Sequence, residues 1–415
     1  MKLNIKILFL LFNISVINAN VDLDIVGFVD PYGGIGQVAL SFIECLKTGL
    51  KIKLYNIYPE ETRLQDLSKD TQKIVENSIA VNDETVLKNE SNDVCLYTHI
   101  LSTNKWDNFL NFKKNGISLA YSMVESTHVL QDWVDKLNSS FDALVVPDIS
   151  LVKVYQDSGV KIPVFVLPMS LDLNKFKPKA LEKNKKTFVF GNTAGFEARK
   201  NHILLIDAFH KVFGNNKNVI LKLHGKGGGQ YENIRKKISD LKSTNIILIK
   251  QPFTKKEYMD FIYSLDCYVT VSSGEGYSIS PREALAANIP VIVSNNTAHV
   301  TLCNSGFVYP VKSDIAKEAY SEALGFVGKN FNCSLSDVCK ALVSVYRNYP
   351  KFHKLAAKGS VWVKKYDIQN IKKDYFTLIS PKKVVLGDIN DITNDYVITN
   401  SQSLYNKYLK NIGKK

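Results

Sequence analysis

"GEGYSISPREALAANIPVIV", residues 274–293, follows the apolar run "CYVTVSS" at 267–273 and closes on a second one, "VIVS" at 291–294. Two short runs rich in β-branched residues, joined by a stretch of helical composition, predict strand–helix–strand in a parallel sheet. The segment holds two glutamates, Glu275 and Glu283. Ser280, Pro281, Arg282 and Glu283 fit an S-x-x-E capping box with proline at the first helical position. That pattern gives Glu283 a structural duty and leaves Arg282 on the surface or facing a phosphate. On one continuous helix the two glutamates would lie about 12 Å apart along the axis. Gly274 and Gly276 break any helix before Ser280, however, and put Glu275 on a strand-end loop. Folded back over the helix start, that loop brings both carboxylates to one ligand. The N–H groups around Tyr277, Ser278, Ile279 and Ser280 then point at its phosphate.

The same alternation extends in both directions. "VDLDIVGFV", "KIKLYNIY", "DVCLYTHI", "GISLAYSMV", "FDALVVP" and "IPVFVLP" read as strands with helical stretches between them. After the polar, proline-bearing stretch at 168–186 a second series begins with "TFVFGN", "VILKLHG" and "NIILIK". The expected fold class is α/β, with two doubly wound Rossmann-like domains facing each other across a cleft. Ligands are expected there, at the carboxyl ends of the strands. The boundaries are a segment 1–20, a first domain 21–170, a second domain 171–375 and a C-terminal extension 376–415.

Composition excludes little. Lys and Arg exceed Asp and Glu by 53 to 40, a net charge of +13. That suits anionic partners, an acidic membrane surface among them, or only a lysine-rich solvated face. With no long basic run and no aromatic RNA-binding signature, nucleic acid is not expected. None of the six cysteines forms a CxxC pair, so zinc is not indicated. Cys333 and Cys339 are close enough in sequence to be tested for a disulfide. "MKLNIKILFLLFNISVINAN" at 1–20 has the lysines, apolar stretch and small residue of a secretory signal, and also suits a membrane-contacting anchor.

Three loops carry chemistry. Gly33, Gly34 and Gly36 follow the first strand and open the first helix, where backbone can approach an anion or simply turn tightly. Arg199 and Lys200 stand where a loop enters a helix. Cations there oppose the helix dipole, so an anion is expected beside them. "LHGKGGG" at 223–229 brings His224 or Lys226 near a phosphate, or is a turn with an exposed lysine.

"GEGYSISPREALAANIPVIVS" resembles the E-x7-E segment of retaining glycosyltransferases with the GT-B fold, of the family four type (glycosyl transferases group 1). "EARKN", "VILKLHG", "GFVYPV", "GGIGQVA" and "SMVESTHVLQDWVDKLNSSFDALVVPD" follow that family's order over roughly residues 21–375. The resemblance implies a first domain for the acceptor and a second for a nucleotide sugar. It places Glu275 on the donor-sugar hydroxyls, Glu283 on the ribose, and Lys200 with Arg199 on the diphosphate. Many relatives space that Arg and Lys apart. Gly34 and Gly36 match the loop over the diphosphate, and Gly276, Tyr277, Ser278 and Ile279 complete the donor site. His99 and His128 are candidates facing the acceptor, a glycan or lipid-linked glycan, with Glu125 in the same wall. No metal and no tightly bound cofactor is implied. The only "DLD", at 22–24, lies at the wrong end of its strand. A nucleotide-sugar epimerase and a secreted two-domain binding protein remain alternatives. Donor supply favours the cytosolic side of a membrane, whereas the signal-like start favours export.

Overall fold

The computed structural model describes residues 22–81, 94–101, 116–182, 185–321 and 325–379. Segment 1–20 and the chain beyond Ile379 lie outside the described residues. The first domain has β1 (Asp22–Gly27), α1 (Gly36–Leu46), β2 (Lys51–Asn56), α2 (Lys69–Glu76), β3 (Ile79–Ala80), β4 (Val94–Tyr97), β5 (Ile117–Tyr121), α3 (Gln131–Ser140), β6 (Ala143–Val146), α4 (Ser150–Asp157) and β7 (Val164–Val166). The second has β8 (Phe188–Thr193), α5 (His202–Phe213), β9 (Val219–His224), α6 (Tyr231–Asp240), β10 (Ile246–Ile249), α7 (Lys255–Ser264), β11 (Cys267–Thr270), α8 (Ile279–Ala286), β12 (Val291–Asn295), α9 (His299–Asn304) and β13 (Tyr309–Lys312). A hairpin of β14 (Ile315–Ser321) and β15 (Gly325–Asn332) follows, then α10 (Leu335–Arg347), α11 (Tyr349–Trp362) and α12 (Ile368–Ile379).

Both expected sheets are present. The first runs β3-β2-β1-β4-β5-β6-β7 and the second β10-β9-β8-β11-β12-β13. All their pairings are parallel. In each the winding reverses beside its first strand, between β1 and β4 and between β8 and β11. A ligand site is expected beyond the carboxyl ends of such neighbours. β4, β5 and β6 are buried along their whole length, which is why they read as unbroken apolar runs. The hairpin has no counterpart in the sequence reading. No helix among the described residues is long and apolar enough to cross a membrane.

The two domains share one core. An apolar cluster extends from Leu23, Ile25 and Phe42 through Met169 and Leu171 to Tyr277 and Ala284–Ala287. α12 returns to lie on α1, where the Tyr375 ring meets that of Phe42 and its hydroxyl donates to Pro168 O at 2.9 Å. Asp367, buried before α12, accepts N–H groups from Leu173 and Asn174 on the connecting segment.

Arg282 corrects an expectation. Rather than lying on the surface or facing a phosphate, it is fully buried between the domains. Its guanidinium stacks 4.0 Å from the Tyr277 ring centroid and 4.9 Å from that of Tyr366. It also donates to Tyr277 O and Ser278 O and lies 3.7 Å from the buried Asp148 of the first domain. Burial raises the Asp148 carboxyl, and Arg282 opposes that rise. The tested disulfide is not formed either, since all six cysteines are free. Cys333 is buried ahead of α10, whereas Cys339, on α10, turns its thiol to Ala208 O at 3.7 Å.

Removing one partner of a buried ion pair leaves an uncompensated charge. Arg282→Ala should therefore cost about 3–5 kcal/mol of stability. Urea unfolding checks this, and a cost below about 1 kcal/mol would contradict the role given to the stack.

Candidate active site

β8 and β11 are neighbours, so the loops leaving their carboxyl ends lie side by side. The first carries Arg199 and Lys200 in a single 3-10 turn, Ala198–Lys200. Asn201 ends that turn with φ of 54°, a left-handed position that Asn tolerates better than most residues, and α5 starts from it. Asn201 Nδ2 donates to Val271 O at 3.0 Å and joins the two loops. The second loop carries Gly274, Glu275 and Gly276.

Glu275 is 7% exposed, and both cations converge on it. Lys200 Nζ lies 2.6 Å from Oε1 and Arg199 Nη1 lies 3.2 Å from Oε2. Burial would raise its carboxyl. Lys200 and Arg199 outweigh that and hold it well below the usual carboxylate range, so it is ionised at any working pH. Its backbone is clamped as well, because Glu275 N donates to Thr297 Oγ1 at 2.8 Å and Glu275 O accepts from Ala298 N. Gly274 is required by close approach, since a Cβ there would fall 1.8 Å from Glu125 O of the first domain.

Beyond Glu275 the chain enters α8. Ser278 stands at φ 73°, and its hydroxyl meets Nε2 of His299 at 2.8 Å, while Nδ1 meets Ser294 Oγ at 3.1 Å. His299 thus holds a residue in a backbone region costly for serine. Ile279 and Ser280 follow, half-buried, at the helix start. Tyr277 turns its ring into the interdomain core and donates to Met169 O, so only its backbone remains for the site. Gly276 packs on Met123 of the first domain.

The capping box at Ser280–Glu283 is not formed. α8 starts at Ile279 with no side-chain cap, because Ser278 in its left-handed conformation opens the helix earlier than an extended Ser280 would. Glu283 instead accepts from the Tyr258 hydroxyl and pairs with Lys175 at 3.2 Å. Those tertiary partners replace the local one.

The other candidates are dispersed. Gly34 has no atom within 4 Å of where a Cβ would sit, whereas one at Gly36 would lie 2.5 Å from Asp30 N, so Gly36 serves a tight turn. Lys226 reaches across the cleft to Asp30 at 3.3 Å. His224 stacks on Phe253, and both ring nitrogens have partners, Thr193 Oγ1 and Gln251 O, which removes it as a phosphate ligand. His99 is buried at the end of β4 against Tyr58, and His128 is exposed beside the hairpin. Among the described residues neither joins the Glu275 cluster, and no group of His, Cys, Asp or Glu suits a metal ion. The sequence reading missed Asn201, Thr297, His299, Tyr258 and Lys175. Only Asn201, an Asn just ahead of a helix, left a local signal.

Burial lowers His99, His202 and His299 from 6.5 to about 4. Between those values an unfolded chain takes up protons that the folded one refuses, so stability falls as pH drops from 6.5 towards 4. Glu275, held low, adds to the loss below its unfolded value of 4.5. Asp148 and Asp374, raised by burial, oppose it. The expected loss at pH 5 is on the order of 2 kcal/mol per histidine. Melting temperatures at pH 7 and pH 5 test this: the wild type should melt lower at pH 5, His299→Gln should lose less, and a rise at pH 5 would contradict the assignment.

Two facing doubly wound domains joined by a shared core define the GT-B class. Residues 174–325 match the model of the family described as "Glycosyl transferases group 1". The chain carries a domain of this family and is a glycosyltransferase, which sets aside the epimerase and the binding protein. No curated protein matches the chain in sequence. Among solved structures, Anabaena Alr3699/HepE in complex with UDP and glucose superposes with a TM-score of 0.65 at 10% identity, over 87% of this chain and 100% of that one. Sucrose-phosphate synthase from Thermosynechococcus elongatus gives 0.65 at 12%, over 87% and 98%. A TarM variant from S. aureus, in complex with Fondaparinux, alpha-GlcNAc-glycerol and UDP, gives 0.51 at 16%, over 69% and 55%. At these identities the likeness is one of fold.

Proposed function

We propose that the chain moves a sugar from a nucleoside diphosphate donor to a hydroxyl of a glycan or lipid-linked glycan, with retention of anomeric configuration. The observation that carries this reading is the pairing of Lys200 with Glu275 at 2.6 Å, at the β8/β11 switch point and beside the start of α8. The complexes of HepE with UDP and glucose, and of TarM with UDP and a glycerol-linked sugar, support the donor and acceptor classes.

Each group then has a task. Glu275, ionised and immobile, accepts hydrogen bonds from donor-sugar hydroxyls and fixes the ring. Among the described residues only one acceptor, Glu275, is assigned to the three N–H donors of Lys200, which leaves it able to neutralise a departing diphosphate. The N–H groups of Ile279 and Ser280 at the start of α8 add to that field. In a front-face displacement the leaving phosphate takes the acceptor proton as the new glycosidic bond forms. Glu275, already tied to two cations, positions the sugar and does not attack it. Closure of the two domains excludes water and suppresses donor hydrolysis. Glu283, with Tyr258 and Lys175, is assigned to the ribose.

A panel of nucleotide sugars tests the reading by nucleoside diphosphate release, with product configuration read by NMR. Glu275→Gln and Lys200→Ala should each lower kcat/KM by about a hundredfold or more. Glu283→Gln should weaken nucleotide binding. An inverted product would overturn retention, and no release from any donor would overturn the transfer.

A further inference from the structure

The Arg199 guanidinium is already ringed by acceptors: Nη1 donates to Gly274 O and Nη2 to Glu125, and the carboxylates of Glu275 and Glu197 lie within ion-pair distance. A guanidinium carries four terminal N–H groups on its two Nη atoms. Nη1 donates to Gly274 O at 3.0 Å and lies 3.2 Å from Glu275 Oε2. Nη2 lies 2.7 Å from Glu125 Oε1 and 2.9 Å from Glu197 Oε2. An entering diphosphate meets a guanidinium whose charge is already shared among three carboxylates, and it takes the place of one of them only if that one leaves. Gly274 O belongs to a buried turn, and Glu275 is shared with Lys200. The movable acceptors are Glu197 and Glu125, whose side chains are 47% and 48% exposed. Glu197 sits on the same loop as Arg199, so its departure would alter nothing between the domains. Glu125 comes from the opposite domain.

The backbone around Glu125 is fixed from the second domain. Gly274 lies directly under its carbonyl. Ser126 Oγ donates to Val327 O at 2.6 Å, Thr127 N donates to Lys329 O at 3.2 Å, and Lys329 N donates to Thr127 Oγ1 at 2.9 Å. β15 thus straps the loop that carries Glu125, while Phe331 N ties β15 to Ser273 O beside Glu275. The strap holds the backbone and leaves the carboxylate on Arg199.

We propose that Glu125 is a positioning residue that acts through Arg199. Its carboxylate takes the place on the guanidinium that the donor diphosphate requires, so the Glu125–Arg199 pair and the bound diphosphate exclude one another. The inference rests on the donor assigned above. Donor entry breaks an ion pair across the cleft, and return of Glu125 to Arg199 helps expel the nucleoside diphosphate product.

Calorimetric titration of the full chain with UDP, GDP, ADP and CDP tests this on the wild type, Glu125→Gln, Glu197→Gln, Arg199→Ala and the double variant of Glu125→Gln with Arg199→Ala. For the diphosphate that binds, Glu125→Gln should bind about fivefold tighter and release more slowly. Glu197→Gln should gain less, and Glu125→Gln should gain nothing where Arg199 is alanine. A half-exposed carboxylate leaves Glu125→Gln with a near wild-type Tm, which confirms that the variant is folded. Unchanged or weaker binding by Glu125→Gln, a larger gain from Glu197→Gln, or the same gain without Arg199 would each overturn the proposal and leave the donor assignment standing. Binding of no diphosphate by the wild type would overturn both.

Discussion

A carboxylate taken out of water needs a cation beside it, and Glu275 imposes that constraint on its surroundings. An unpaired charge at this depth would cost several kcal/mol or lose its ionisation. The cations come from the loop after β8 because β8 lies next to β11, whose own loop holds the glutamate. Asn201 turns the chain out of the 3-10 turn into α5 and leaves Lys200 and Arg199 facing back towards Glu275. Thr297 and Ala298 hold the backbone of Glu275 from the β12–α9 loop. One buried charge therefore orders three loops at the mouth of the second sheet.

The same segment serves the domain interface. From Glu275 to Arg282 the chain alternates between cleft and core: Glu275 faces the cations, Tyr277 goes down, Ser278 meets His299, and Arg282 goes down to Asp148. α8 cannot shift along its axis without pulling Arg282 from between Tyr277 and Tyr366. The helix start is thus held by contacts within the interdomain core. Donors fixed before the ligand arrives need no reorganisation during the reaction, which makes them effective against developing charge. The stack contributes to positioning as well as to stability.

The fold was legible because strands buried on both faces read as apolar runs, and helices between them imply parallel crossovers. "DVCLYTHI", "GISLAYSMV" and "FDALVVP" declared themselves in this way. The cationic pair was legible because two cations at a helix start oppose the dipole. The capping box expected at Glu283 is not formed because it is a local signature, whereas Lys175 and Tyr258 arrive from other elements. Arg282 was misread for a related reason: a basic residue near a helix start reads as solvated, and its burial depends on two distant residues, Tyr366 and Asp148. The hairpin at 315–332 was missed because its exposed Ile315, Tyr320 and Phe326 blur the alternation that marks a strand pair.

The adjacency of Arg199 and Lys200, which departs from the spacing many relatives use, has a geometric consequence. In a 3-10 turn neighbouring side chains project about 120° apart. Two adjacent cations therefore cannot both lie over one phosphate in the same way. Among the described residues Lys200 turns to Glu275 alone, as a compact charge can. Arg199 spreads its fork over Glu275, Glu197 and, across the cleft, Glu125. The planar guanidinium presents its donors in a fixed fork that suits carboxylates from two domains at once, so a lysine at 199 would weaken the bridge and keep the charge. The adjacency therefore divides the two cations: Lys200 is committed to Glu275 within the second domain, and Arg199 ties that glutamate to Glu125 of the first.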